Sequence, residues 1–175
     1  MSRYFQTRNR GTVLIRPSQT GDTRAIIEAI NAVTAEDKWF MSGGFIPTPP
    51  WQRALDETGD NRNYLLLVVE APEGLVGWCR VFPYEFGTSR HVADLGIGLL
   101  PAWRDQGIGT ALILEACRWA IAQGFEKLTL SVFFTNERAI HVFEKAGFVR
   151  TGIRYKQFKL NHEYVDEVLM EKFLN

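Results

Sequence analysis

Arg104, Gly107, Gly109 and Thr110 stand where a strand gives way to a helix, and in the spacing Arg-x-x-Gly-x-Gly-Thr they can hold a phosphorylated ligand. Glycines at a helix entrance leave the backbone bare. The first N–H groups there have no partner within the helix, and the positive end of the helix dipole suits an anion. Arg104, just before the helix, can add a charge-assisted contact. Immediately upstream, Leu95, Ile97 and Leu99 alternate on one face of a strand, whereas Asp94, Gly96, Gly98 and Leu100 share the other. Two glycines on one strand face mark a surface that a ligand or a neighbouring backbone approaches closely. Taken alone, Gly107 and Gly109 are equally well explained as a tight entry turn; joined to the stripped strand, they favour ligand binding. The commoner nucleotide motifs do not fit. A P-loop needs Gly-Lys-Ser/Thr, and here Thr110 follows Gly109 directly; a dinucleotide fingerprint needs a third glycine where Leu112 stands.

Other side chains able to do chemistry are fewer. Asp94 lies on the stripped face. The reference pKa of an aspartate, about 3.9, makes this residue type a poor direct base for an ammonium near 10, so the chemical use of Asp94 is to orient a water or steer a cationic amine; otherwise it is a solvated charge at a strand end. Asn136 precedes a short helix, where it either contacts a ligand or caps the helix. His91, His141 and His162 are scattered without metal-ligand spacing, and no metal is expected. Cys79 and Cys117 read as small buried hydrophobes rather than a disulfide or a nucleophile. Trp39, Phe40 and Phe45, with Trp51 after them, sit in or beside an irregular stretch broken by Gly43, Gly44, Pro47, Pro49 and Pro50. So much aromatic surface must pack onto the core, line a subunit interface or wall a substrate pocket.

The elements that position these residues follow from periodicity. Val13 to Ile15 form a strand closed by Pro17, and Asp22 is placed to cap a helix carrying Ala25, Ile26, Ala29, Ile30 and Val33. Tyr64 to Glu70 and Leu75 to Val81 form a hairpin turned by Ala71-Pro72-Glu73-Gly74. A helix from Gly107 to Gln123 ends at Gly124, and Lys127 to Phe133 alternates as a strand; a helix of this length between strands argues for a parallel crossover. Gly147 stops the next helix with Phe148 set for the accompanying apolar contact. Ile153 to Leu160 and Tyr164 to Phe173 close as a hairpin. The order is β-α-α-β-β-β-α-β-α-β-β, an α/β fold on a mixed, mostly antiparallel sheet of about seven strands. A chain of 175 residues supports one domain, placed at 12–175. Residues 1–11, with Arg3, Arg8 and Arg10, read as a flexible basic arm rather than a binding element. Lysine plus arginine and aspartate plus glutamate number 20 each, which gives no field for nucleic acid or an anionic membrane. Without a secretory or membrane-spanning apolar run, a soluble cytoplasmic protein is expected.

Leu99-Leu100-Pro101 followed by Arg104-Asp105-Gln106-Gly107-Ile108-Gly109 closely resembles the acyl-CoA pyrophosphate loop of the GNAT superfamily of N-acetyltransferases. Asn136 to Phe148, an asparagine after a strand and a short helix ending in Gly147-Phe148, looks like the second motif of that family. The segment from Thr12 to Pro17 and its helix resemble the family's opening, so the likeness runs from about Thr12 to Phe173. It implies an α/β sandwich with helices on both faces and acetyl-CoA as co-substrate. The strand backbone at Leu99 and Leu100 would hold its amide-rich arm. Arg104, Asp105, Gln106, Gly107, Ile108, Gly109 and Thr110 would hold its diphosphate, with Asn136, Phe143 and Lys145 on the facing helix.

Trp39, Phe40 and Phe45 fall where the family covers the acceptor, and Asp94 matches the position at which many members place a glutamate base. Phe143 is the departure: the family usually has there a tyrosine regarded as the acid for the departing sulfur, and phenylalanine has no proton to give. His141 lies about 200° around the helix from Phe143 and is no obvious substitute, which leaves Tyr155 and Tyr164 on the last hairpin as candidates. The resemblance thus implies an enzyme acetylating the primary amine of a small molecule, such as an amino acid, polyamine or antibiotic, by direct attack in a ternary complex. The alternatives are a catalytically impaired acyl-CoA-binding module and an acetyltransferase for protein N-termini or lysines. A homodimer is the base expectation.

Overall fold

The computed structural model describes residues 2–36, 44–61 and 63–174. Within them the chain runs β1 (Arg3–Gln6), β2 (Thr12–Pro17), α1 (Thr23–Thr34), α2 (Pro49–Asp56), β3 (Leu65–Ala71), β4 (Gly74–Pro83) and β5 (Val92–Leu99). It continues with α3 (Ile108–Ala122), β6 (Lys127–Phe133), α4 (Glu137–Lys145), β7 (Val149–Leu160) and β8 (Glu163–Phe173). The strands form one sheet in the order β1-β2-β3-β4-β5-β6-β8-β7. Only β5 and β6 pair in parallel, joined by the α3 crossover; every other neighbouring pair is antiparallel. The sandwich and its mixed sheet are those expected, with eight strands rather than seven.

The added strand corrects the reading of residues 1–11 as a flexible arm. Arg3–Gln6 pair with Thr12–Ile15. Phe5 packs against the main core and Arg3 Nε lies 2.8 Å from the buried carboxylate of Glu115 on α3. Those partners lie far along the chain, so the four residues look polar and tail-like until the fold assembles.

Side chains leave the sheet on both faces and each face is covered. Leu65, Leu67, Val69, Cys79 and Val81 pack with α3 and α4, while Leu66, Val68, Trp78 and Phe82 pack with α1 and α2. This is why β3 reads as a continuous apolar run rather than alternating. Cys79 and Cys117 are free and buried, and burial pushes both thiols up, away from nucleophile chemistry. Gly147 adopts φ 89°, and Phe148 N–H bonds Phe143 O at 3.0 Å, so the glycine stop ends α4 as its position predicts.

Asp22 departs from its expected role. It makes no side-chain cap to α1. Its carboxylate instead accepts from Arg16 Nη1 and Nη2 (2.6 and 3.0 Å) and from Gln19 N–H (2.8 Å). Burial alone would raise this carboxyl, but the Arg16 and Gln19 bonds outweigh it and hold it below its ordinary value. A depressed carboxyl contributes stability above the ordinary carboxylate range and loses it as pH falls through the folded-state value. Asp22→Asn is therefore expected to lose about 1–3 kcal/mol at neutral pH. The gap to wild type should close below about pH 4, as read from denaturant midpoints; a gap independent of pH would contradict this role.

Candidate active site

The sheet opens in its middle. β5 and β6 pair only over Val92–Asp94 with Lys127–Thr129, although β5 continues to Leu99 and β6 to Phe133. Their outer edges stay paired to β4 and β8, so beyond Asp94 and Thr129 their facing backbone groups are not joined to each other. A cleft of about 380 Å³ opens at the far end of β5, lined by Leu99, Gly107, Gly109 and Thr110 from the β5–α3 side and by Asn136, Phe143 and Lys145 at and along α4.

The entrance of α3 faces this cleft with bare donors. Gly107 sits at the cap position with φ 83°. Ala111 N–H to Gly107 O (3.1 Å) is the first bond of the helix, and among the described residues no side chain caps the N–H groups of Ile108, Gly109 and Thr110 ahead of it. A Cβ on Gly109 would meet nothing nearer than Leu99 Cδ1 at 4.0 Å, so the missing side chain leaves room over those donors. Among the described residues Arg8, Arg104, Arg138 and Lys145 line the cleft against one carboxylate, Asp105. Amide-edged walls, orphan N–H groups and excess positive charge fit an elongated ligand with amide and phosphate groups.

Several expected residues stand otherwise than the sequence suggests. Arg104 is not a free phosphate cation: its Nη1 and Nη2 grip Glu36 (2.8 Å for Nη1 to Oε2) and its Nε donates to Leu99 O at 3.0 Å, tying the end of α1 to the α3 loop. Gln106 is buried and accepts from Asn9 N–H at 2.9 Å. Ile108 is a core residue and Leu100 N–H bonds Val76 O (2.9 Å), so neither side chain lines the cleft. Asn136 Oδ1 caps α4 through Ala139 N–H at 3.1 Å while the residue also lines the cleft, so both of its readings hold in one geometry. His141, set aside on helix geometry, does reach the cleft rim. Tyr155 and Tyr164 are exposed on β7 and β8 and do not line the cleft; β8 separates Tyr155 from β6. Trp39 and Phe40 lie outside the described residues. Phe45 packs edge-on against Trp51 (5.0 Å between ring centres), which in turn meets Phe82 (5.3 Å), the core-packing alternative.

At the fork, where the β5–β6 pairing ends, polar groups gather. Asp94 Oδ2 lies 2.6 Å from Arg80 Nη1, which also reaches Asp94 O at 3.3 Å. Tyr84 Oη lies 3.3 Å from Thr129 Oγ1, and Thr129 is the register partner of Asp94. The Arg80 guanidinium is backed by the rings of Phe82 and Trp51 at 5.0 and 5.9 Å. Gly96 and Gly98 explain this placement: a Cβ on Gly96 would sit 2.9 Å from Arg80 Nε, and one on Gly98 would overlap the Trp78 ring. The close approach that the glycines signal is made here by the Arg80 and Trp78 side chains of β4. Arg80, Tyr84 and Thr129 carried no motif of their own. Among the described residues, no three His, Cys, Asp or Glu side chains gather to hold a metal, and no helix is long and apolar enough to cross a membrane.

The Acetyltransferase (GNAT) family model matches residues 30–148. An L-amino acid N-acetyltransferase of Escherichia coli is 29% identical over 91% of this chain and 97% of its own length. A spermidine N(1)-acetyltransferase of Vibrio cholerae is 27% identical over 66% of this chain and 69% of its own. In three dimensions the chain is similar to a GNAT-family acetyltransferase of Streptococcus pneumoniae, with a TM-score of 0.83, 26% identity and coverage of 93% of this chain and 99% of that one.

Proposed function

The chain belongs to the GNAT family, acetyl-CoA-dependent N-acetyltransferases, and on that premise we propose that it acetylates the primary amine of a small, amino-acid-like molecule by direct attack in a ternary complex. The observation that carries this reading is the cluster at the fork. Arg80 spends Nη1 on Asp94, and no hydrogen bond from its Nε or Nη2 joins any described residue. A guanidinium with two donors to spare, beside a carboxylate, fits a molecule bearing a carboxylate and an amine together. The amino acid N-acetyltransferase of Escherichia coli, similar over nearly its whole length, supports the same class.

Acetyl-CoA supplies an acetyl thioester, whose C–S bond breaks as the amine nitrogen bonds the carbonyl carbon. In this reading the N–H groups of Ile108, Gly109 and Thr110 hold the diphosphate, and the inner edge of β5 up to Leu99 pairs with the amide arm. Asn136, Phe143 and Lys145 close the other bank. N–H groups of β5 just past Asp94 polarise the acyl oxygen. Asp94 steers the amine and orients a water that carries the shed proton to solvent. Phe143 holds no proton, so the thiolate leaves unassisted, which a thiol pKa of about 8.5 allows at a slower rate.

Arg80→Ala is expected to raise KM for an amino acid acceptor about 10- to 100-fold. KM for acetyl-CoA, and turnover of the decarboxylated amine of the same side chain, should change little. Equal losses with both acceptors would contradict a carboxylate-binding role.

A further inference from the structure

The N-terminal hairpin is fastened to the loop that opens α3. Its turn is tight: Thr7 N–H and Oγ1 both reach Gly11 O (2.9 and 2.7 Å), and Arg10 N–H donates to Thr7 Oγ1 at 2.9 Å. Asn9 N–H bonds the buried Gln106 Oε1, Arg10 lies 5.5 Å over the Trp103 ring, and the Phe5 ring stands beside Gly107, 3.4 Å from where a Cβ would be. Between these fixed points Arg8 is presented, exposed, at the cleft.

Of the three arginines lining the cleft, Arg104 is committed to Glu36 and Arg138 to Asp105, whose Oδ1 accepts from Arg138 Nε at 2.8 Å. Among the described residues Arg8 makes no ion pair. The free N–H donors of the α3 entrance suit the diphosphate; an exposed arginine on the neighbouring surface turn suits what lies beyond it, at the rim. Coenzyme A carries a phosphate monoester there, on the 3′ oxygen of its ribose, with close to two negative charges and three acceptor oxygens. We propose that Arg8 binds this 3′-phosphate, which makes the N-terminal hairpin part of the co-substrate site. The assignment rests on the cleft reading given above.

Titration calorimetry of the full chain with acetyl-CoA and with 3′-dephospho-acetyl-CoA tests it. Wild type should prefer acetyl-CoA by about tenfold or more. Arg8→Ala should lose about tenfold for acetyl-CoA, keep its affinity for the dephospho form, and so erase the preference; Arg8→Lys should restore part of it. Equal losses for both ligands, or a preference that survives Arg8→Ala, would overturn the assignment while leaving the cleft reading in place. A wild type with no preference would overturn it as well. A wild type that binds neither ligand would overturn both.

Discussion

Gly109→Leu is expected to fold as wild type does and to lose acetyl-CoA binding by about a hundredfold or more, the equivalent of two charge-assisted phosphate contacts. The position is clean because the new Cβ meets only ordinary contact at 4.0 Å, whereas the rest of the leucine enters the cleft over the free N–H groups of the helix entrance. Gly107 is a poorer probe. Its φ of 83° strains any side chain, and the Phe5 ring already stands 3.4 Å from the Cβ position, so a loss there mixes folding with binding. Titration calorimetry alongside an unfolding midpoint separates the two; undiminished binding by a folded Gly109→Leu would remove the diphosphate from this loop.

Phe143→Tyr is expected to raise kcat by about tenfold or more, because a positioned general acid contributes about 10²–10⁴-fold and the native chain has none at this place. Phe143 lines the cleft and meets Phe148 edge-on at 5.8 Å, so a hydroxyl at the ring tip adds a donor without altering the packing behind it. Acetyl-CoA affinity should stay as it is. Single-turnover rates at saturating acceptor measure the gain, and an unchanged rate would mean that departure of the thiolate does not limit this enzyme.

What the sequence revealed and what it concealed divide by distance along the chain. Gly107, Gly109, Gly147 and the crossover from β5 to β6 were legible because backbone conformation and apolar period are local properties. Arg104 looked like a phosphate ligand because its partner Glu36, 68 residues away, carries no mark in the sequence. The glycines of β5 signalled a close approach but not its source, since Trp78 and Arg80 come to them only through the β4–β5 register. β1 was hidden for the same reason: three arginines near a terminus read as a tail until Glu115, Gln106 and Trp103 are brought against them. Tyr155 lies on a strand, as its surroundings in the sequence indicate, yet no periodicity says that β8 inserts between β7 and β6.

The most direct measurement is thiol release from acetyl-CoA by the purified protein with amino acids, polyamines, aminoglycosides and short peptides, each against a blank without amine. Release above the blank with amino acids, falling away when the acceptor's carboxylate is removed, is the expected result. Release with polyamines alone would contradict the role given to Arg80, and release with no amine while acetyl-CoA still binds would contradict catalysis on a small acceptor.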